Sequence, residues 1–514
     1  MQFKVNPINP QDFEWDAIVI GTGMGGATVG HELCQMGYKV LFIEKGNFLE
    51  ISPTEKNSTI SQENDRQGYW PHRITLNTNG KQRKLLFPIG SGPGGSTILY
   101  GGQLERMHPS DFRGSTENPL IWPLSYEDFE PYYAKAEFLY RVKGCNGQTS
   151  SPPLSKSDSI IFNTFKKLGL EPYRSPIALE CVDKCTGCGG KACKLKCKND
   201  SLKICLQPAL DLPGGFLLTN CEVISIKADA SHATCVKCIY NGEEISIRAR
   251  FYIAAAGALI TPGLLLKSRS EIWPNGLANK SGLVGKNLMF HLSDFYAIKP
   301  KINARKSEPQ KSISTNYFYE NLGIKMGTFQ SVGIPINSEY FFKFIIKIKE
   351  KNKLFRILPE FFYKVAANIF TKIFEKYTIF ASIVEDYPDN TNKISIDDLG
   401  QIIVNYEISQ SSRYRNNNFR KMLKTKLKKD FSVVSTSNKT NINLGHATGT
   451  CRLGIDPSKS VLDINNRCHD LSNLYICDSS FFVTSSGVNP SLTIAANAIR
   501  VAEHIARHSE FKIT

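Results

Sequence analysis

Apolar and polar positions along this chain fall into a few readable blocks. Ala17-Ile-Val-Ile20 is a short, continuous apolar run, the pattern of a strand buried on both faces. It leads through a glycine-rich turn into a helix-like stretch and then a second apolar run, Lys39-Val-Leu-Phe-Ile43, closed by Glu44. Farther on, Cys221–Ile226, Ala233–Tyr240 and Ile245–Ala254 read as a strand meander, with Asn241-Gly242 marking a hairpin turn. Ser491–Arg507 predicts a final helix, and Arg413–Lys429 the solvated face of another. Phe361, Phe362, Val365, Ile369 and Phe370 share one helical stripe. No internal repeat or low-complexity tract is present, and no apolar run reaches the roughly 18 residues that span a bilayer.

Glycines sharpen the first block. In Asp16-Ala-Ile-Val-Ile-Gly21-Thr-Gly23-Met24-Gly25-Gly26, Gly21 allows a tight turn after the strand and Gly23 lets the backbone approach a pyrophosphate. Gly26 lets the helix pack on the strand, and the N–H groups of the helix start, at Met24 and Gly25, face the phosphates. Glu44 lies 21 residues after Gly23, where a carboxylate can accept both ribose hydroxyls. The strand, helix, strand and terminal Glu in register predict dinucleotide binding.

Six blocks in order then carry a family resemblance. They are the fingerprint at 16–46, Gly90-Ser-Gly92-Pro-Gly94-Gly95-Ser96-Thr97, Trp122–Tyr133, Ala256–Ser268, Val284–His291, and the stretch from His446 to Glu503. Together they resemble a glucose–methanol–choline (GMC) oxidoreductase over nearly the whole chain, with Arg269 standing where the family's second signature usually has Gly. The run Glu385–Ile396 resembles the equivalent region of pyranose oxidases, pointing to that and the FAD-dependent sugar dehydrogenase branch. The resemblance implies an α/β fold: a Rossmann-like FAD-binding domain on a discontinuous parallel sheet (1–105, 215–300 and 440–514). An α+β substrate domain on an antiparallel sheet follows (106–214 and 301–439). The implied FAD contacts are Gly94, Gly95, Ser96, Thr97, Val223, Asp478, Asn489 and Pro490, beside Gly21, Gly23, Met24, Gly25, Gly26 and Glu44. Some members attach FAD through a histidine just after the Gly-Gly-Ser-Thr turn. Ile98 stands there, so noncovalent FAD is expected.

The implied reaction is oxidation of a primary or secondary alcohol to a carbonyl. A hydride leaves carbon for flavin N5 only as the hydroxyl proton is removed, and a neutral imidazole suits that task. The family pattern puts His446 in that role and Asn489, 43 residues later, in the position of an amide donor to the developing alkoxide. A positioned base contributes about 10²–10⁴-fold in rate. His291 reads as a supporting or interface residue rather than a reacting one. The expected substrate is a small alcohol: a sugar, aminosugar, polyol or lipid-like alcohol. A non-oxygen electron acceptor is expected, with a peroxide-forming oxidase as the alternative within enzymes. A non-catalytic flavin-binding electron-transfer subunit is the alternative outside them.

Cysteine spacing adds a further feature. Cys181, Cys185, Cys188, Cys193, Cys197 and Cys205 crowd into 25 residues, interleaved with Lys184, Lys191, Lys194, Lys196, Lys198 and Lys203. Disulfides, a zinc site and an iron–sulfur cluster are each compatible with this spacing. Cys185, Cys188, Cys193 and Cys197 resemble the loop of FAD-dependent sugar dehydrogenases that hold a three-iron cluster, although Lys198 replaces the usual Pro. The lysines would present a positive face to an acidic electron carrier.

Charge is also uneven. The net charge is +16, and Asn337–Tyr377 alone holds nine Lys/Arg against four Glu. Its stripe is expected either to pack as a lid or to contact an anionic membrane surface or a hydrophobic substrate. Nothing resembles a nucleic-acid module, so basicity does not argue for DNA or RNA. Composition, 41% hydrophobic and 21% charged, is that of a globular chain, and 514 residues allow two large cores. Met1-Gln-Phe-Lys-Val-Asn-Pro lacks a signal-type apolar core, which predicts a cytoplasmic location, with membrane association or export beside a signal-bearing partner left open.

Overall fold

The computed structural model describes residues 9–49, 68–114, 120–144, 151–180, 190–308, 310–321, 323–334, 360–435 and 440–508. The first apolar run is strand Trp15–Ile20, at the centre of a parallel sheet. Across that sheet the order is Leu474–Ile476, Ala249–Ala254, Trp15–Ile20, Val40–Ile43, Gly215–Leu218. Val40–Ile43 is buried at every position, as a parallel strand covered on both faces requires. Helices Met24–Gln35 and Ser491–His508 pack against each other. The chain end thereby returns to the glycine-rich turn.

The meander is present, with one correction. Cys221–Ala228, Ala233–Tyr240 and Glu243–Ile247 form an antiparallel sheet, with left-handed Asn241 and Gly242 at the turn. The expected strand Ile245–Ala254 divides in two, because its second half, Ala249–Ala254, pairs in parallel with Trp15–Ile20 instead. Alternation suits the hairpin half. The continuous apolar run Tyr252-Ile-Ala254 needs cover on both faces, which the parallel sheet supplies.

The second sheet is antiparallel, in the order Phe431–Ser435, Phe295–Pro300, Thr378–Val384, Gly327–Ser331, Ile313–Thr315, Tyr173–Arg174. Met289–Leu292 joins it through Thr378–Val384 and pairs on its other side with Ile442–Thr448. Residues from the 215–300 and 440–514 ranges thus contribute strands to the antiparallel sheet. That pairing sets His291 opposite Asn443, three residues before His446.

Two helices depart from expectation. In Gln410–Leu427 the basic run is not uniformly solvated: Arg415 is fully buried, donating to the Glu385 carbonyl (2.8 Å) and Ser412 Oγ (3.1 Å). Arg420 forms a two-pronged contact with buried Asp294, 2.7 and 2.9 Å. Helix Glu360–Phe374 buries Tyr363 and Ala367, while Phe361, Phe362, Val365, Ile369, Phe370 and Ile373 are exposed. Packing of that stripe as a lid is therefore not what these residues do. Residues 337–359 of the basic segment lie outside the described residues. No described helix is long and apolar enough to cross a membrane.

Candidate active site

One cavity of about 450 Å³ runs from the glycine-rich turn to the edge of the antiparallel sheet. Gly21, Gly23, Met24, Gly25, Glu44, Gly95, Ser96, Thr97, Val223, Asp478, Asn489, Pro490 and His446 all line it. Two expected contact residues do not line it but shape its wall. A Cβ on Gly26 would stand 2.0 Å from the Gly21 carbonyl oxygen, and one on Gly94 within 3.0 Å of Ile98 and Leu202.

Neighbouring glycines divide the labour. A Cβ on Gly25 would lie 1.5 Å from the Cys477 carbonyl oxygen, so no side chain fits there. At Gly23, by contrast, a Cβ would meet no protein atom within 4 Å. The protein leaves open space there, as a cradle for a bulky phosphate group needs. The Gly23→Val protein is therefore expected to fold, to elute without yellow colour, and to keep the circular dichroism of the parent. Normal flavin content in that variant would remove the phosphate assignment.

Carboxylates at this end are already engaged. Glu44 Oε2 accepts from Thr22 N–H (3.2 Å) and Thr22 Oγ (2.7 Å), and Oε1 from Gly46 N–H (3.1 Å) and Gly92 N–H (3.2 Å). Asp478 takes donors from Gly257 N–H, Thr261 Oγ and both the N–H and hydroxyl of Ser480. Burial raises its pKa, and those donors oppose the rise. These two residues brace the loops around the cavity as well as lining it.

At the opposite end, two imidazoles meet. His291 Nδ1 lies 2.8 Å from His446 Nδ1, with the rings nearly perpendicular at 87°. His291 Nε2 faces the carbonyl oxygens of Ser485 (2.9 Å) and Ser486 (3.1 Å). Carbonyls only accept, so Nε2 must carry the proton and His291 Nδ1 must be an acceptor. His446 then donates from Nδ1, which leaves its Nε2 with a free lone pair. Burial holds His291 near a pKa of about 4 despite those carbonyls. Burial, then His291, then Lys311 hold His446 well below the usual imidazole value. His446 is half-buried and lines the cavity. Both rings are neutral at neutral pH.

Asn489 sits on a braced loop. Gly487 N–H donates to Tyr319 Oη (2.8 Å), and the Gly487 carbonyl accepts from Thr328 N–H (3.1 Å) and Oγ (3.0 Å). Tyr319 in turn donates to Asp111 (2.6 Å), whose other oxygen meets Lys325 at 2.5 Å; Lys325 also reaches Glu385 at 3.1 Å. Asn489 Oδ1 has no hydrogen-bond partner among the described residues.

The chain matches the family profile described as GMC oxidoreductase, at residues 15–293 for its N-terminal part and 391–498 for its C-terminal part. The chain belongs to the GMC oxidoreductase family. It is 26% identical to 6'''-hydroxyparomomycin C oxidase of Streptomyces lividus, covering 97% of this chain and 92% of that one. It is 27% identical to 2-methyl-1,2-propanediol dehydrogenase of Mycolicibacterium austroafricanum, covering 96% and 95%. The crystal structure of pyridoxine 4-oxidase from Mesorbium loti superposes with a TM-score of 0.66 at 17% identity, over 97% of this chain and 100% of that one, a likeness of fold. Family membership makes the protein a flavin-dependent oxidoreductase acting on CH–OH groups of donors. The open side of Gly23 and the engaged Glu44 fit FAD, the family's cofactor.

Within this GMC site, Tyr100, Gln103, Lys311 and Asn443 also line the cavity, and no motif in the sequence announced them. The cysteine loop borders the same wall. Gly190 N–H donates to the Leu99 carbonyl (2.8 Å), Lys198 Nζ to that of Ile98 (3.0 Å), and Tyr100 Oη to that of Asn199 (2.6 Å). Lys198 is thereby buried, so it is not part of a charged face, whereas Lys191, Lys194 and Lys196 are exposed. Cys181, Cys185 and Cys188 lie outside the described residues. Cys205 is separate, buried against Tyr140 and Thr28. Cys193 and Cys197 hold their sulfurs 3.3 Å apart. Two ligands of one tetrahedral metal with bonds of about 2.3 Å stand roughly 3.8 Å apart, so metal binding requires this pair to open. Among the described residues no group of three or more His, Cys, Asp or Glu is arranged to hold a metal.

Proposed function

We propose that His446 is the base and Asn489 the alkoxide-steadying amide in oxidation of a small alcohol: a sugar, aminosugar, polyol or lipid-like alcohol. The contact between His291 and His446 carries this reading, because it leaves the His446 Nε2 lone pair as the ring's proton acceptor at the cavity. The substrate hydroxyl proton passes to Nε2, while the Nδ1 proton stays on the hydrogen bond to His291. The Asn489 amide is steadied by the Gly487 brace and donates to the oxygen losing its proton. Bound FAD supplies the hydride acceptor. Gly21, Gly23, Met24 and Gly25 with Gly95, Ser96 and Thr97 would hold its phosphates, Glu44 and the Val223 backbone its adenosine, and Asp478 and Pro490 its flavin half. Anaerobic mixing of the flavoprotein with a panel of alcohols, followed at the flavin absorbance band, tests the reading. A flavin that no alcohol bleaches would turn the protein into a flavin carrier without alcohol chemistry.

Attachment and electron exit belong to the same reading. Ile98 offers no group that bonds to a flavin, so acid denaturation is expected to release all yellow colour into the supernatant. Colour left in the pellet would reveal a covalent anchor. Electrons leave to a non-oxygen acceptor of acidic surface, which docks on exposed Lys191, Lys194 and Lys196 beside the cavity wall. Turnover with such a carrier weakens as salt rises; brisk peroxide formation in air would replace this reading with an oxidase. Iron analysis of anaerobically purified protein decides the iron–sulfur expectation, for which about three or four irons per FAD are required. The exposed apolar face of Glu360–Phe374, beside Lys364 and Lys372, supports contact with an anionic membrane surface. Co-sedimentation with anionic but not neutral vesicles tests it.

A further inference from the structure

The cavity wall near His446 contains a buried amide that the base and Asn489 do not explain. Leu99 to Gln103 line the cavity without a break. Their backbone is pinned from behind: Ala178 N–H donates to the Gly102 carbonyl (2.7 Å), and Leu104 N–H to that of Pro176 (3.0 Å). Lys311 places this stretch at the reacting end. Its Nζ lies 1.9 Å from where a Cβ on Gly101 would stand, and its charge bears on His446. Gln103 follows two residues after Gly101 and is almost fully buried.

The amide is fixed on one side and unmet on the other. Gln103 Nε2 donates to Glu105 (3.2 Å) and to Ser314 Oγ (3.1 Å), and Ser314 continues to Ser175 Oγ (2.8 Å). Burial pushes the Glu105 pKa up to about 7, against the hydrogen bonds from Tyr173 and Gln103. Above that pH the carboxylate only accepts, so the amide nitrogen must face it and Oε1 must face away. Oε1 has no hydrogen-bond partner among the described residues and is closed to bulk water. An acceptor in that state costs stability until a donor reaches it. The cavity that Gln103 borders is where such a donor can come from. Alkyl carbon cannot supply one, and an ether oxygen only accepts. A hydroxyl can.

We infer that Gln103 sets the substrate class: its Oε1 accepts from a second hydroxyl, so the substrate is a diol, polyol or sugar and not a lipid-like alcohol with a single hydroxyl. This deepens the alcohol-oxidation reading and rests on it. One hydroxyl faces His446 and is oxidised. The other stays intact and holds the carbon skeleton against the pinned wall, which orients the reacting C–H bond. A substrate with one hydroxyl lays alkyl carbon against Oε1 and leaves the acceptor bare. The discrimination comes from that unmet group more than from the strength of one hydrogen bond.

Matched sets test this on the intact flavoprotein at about pH 8, where Glu105 is ionised. They are ethylene glycol, its monomethyl ether and propanol; trimethylene glycol, its monomethyl ether and butanol; and cyclohexanediol, its monomethyl ether and cyclohexanol. Each ether keeps the second oxygen but has no hydrogen to donate from it. The second-order rate of anaerobic flavin reduction is read for each compound. At least one diol is expected to outpace both its ether and its single-hydroxyl partner by at least about tenfold. Gln103→Met should bring those ratios close to one, while Gln103→Glu, which keeps an acceptor oxygen, should retain part of the preference. A ratio measured within one variant does not depend on how much of that protein is folded. If the ether keeps pace with the diol in every set, or if Gln103→Met keeps the preference, the inference is wrong and a trapped water satisfies Oε1 instead. In that case bleaching by single-hydroxyl alcohols would leave the alcohol-oxidation reading standing, and failure of every alcohol would remove both.

Discussion

His446→Ala protein is expected to bind FAD normally and to be reduced by an alcohol at least about a hundredfold more slowly than the parent. The His446 imidazole lines the cavity and keeps an unprotonated Nε2, and its tautomer is set through His291 by the carbonyls of Ser485 and Ser486. Removing it leaves the hydroxyl proton without a positioned acceptor, while the phosphate cradle some distance along the chain is unaltered. His291→Phe should give a smaller loss of rate with unchanged flavin content, because the base remains but its tautomer is no longer held. The pH profile separates the two effects. Burial, His291 and Lys311 depress the His446 pKa, so the reactive neutral form persists below the ordinary imidazole range of about 6.5. Flavin reduction should therefore stay on a plateau from neutrality down through about pH 6.5 and fall only at lower pH. A rate already falling at neutral pH, or a His446→Ala protein reduced at the parental rate, would dismiss His446 as the base.

Lys325→Met is expected to lower stability by about 3–5 kcal/mol, because it removes the cation between two buried carboxylates. Lys325 is almost fully enclosed and touches Asp111 at 2.5 Å and Glu385 at 3.1 Å, both with side chains at 0% exposure. Desolvation favours the neutral lysine, yet the two carboxylates outweigh it and its pKa is raised. Burial likewise raises that of Glu385, against the pull of Lys325 and Arg415. Once Lys325 is gone, one of the carboxylates must protonate or carry its charge unpaired. The loss also reaches the loop that carries Asn489, since Asp111 holds Tyr319 and Tyr319 accepts from Gly487 N–H. A lower urea midpoint at unchanged slope, together with slower flavin reduction, is the expected result. Adding Asp111→Asn should recover part of the stability by removing one of the two stranded charges. A Lys325→Met protein with the parental midpoint would show that this cluster contributes nothing to stability.

Much of the dinucleotide half was legible in the chain because its code is local. A continuous apolar run, glycines at fixed offsets and a terminal Glu constrain backbone that is only some thirty residues long, and strands Trp15–Ile20 and Val40–Ile43 flank helix Met24–Gln35 as read. The hairpin turn at Asn241-Gly242 is of the same kind, since left-handed backbone at both positions is a property of those residues. His446 and Asn489 were found through a family pattern, and they line the same cavity as the glycines. Gly23 and Gly25 look alike in sequence, yet one faces open space and the other a carbonyl.

Local pattern could not decide where a strand would pair or which polar groups would be enclosed. Ile245–Ala254 reads as one strand, but its halves lie in different sheets because each found a different surface to cover it. Arg415 sits in a basic run that looks solvated and is buried by the fold, while the apolar stripe from Phe361 to Phe370 looks packed and is exposed. The sequence by itself determined that a dinucleotide cradle and a candidate base exist, through steric and periodic rules acting over a few residues. Only the tertiary structure decided the tautomer of His446, the brace behind Asn489 and the approach of Lys311 and Gln103. Each depends on side chains tens to hundreds of residues apart meeting within hydrogen-bond or Coulomb range, a distance no spacing in the chain encodes.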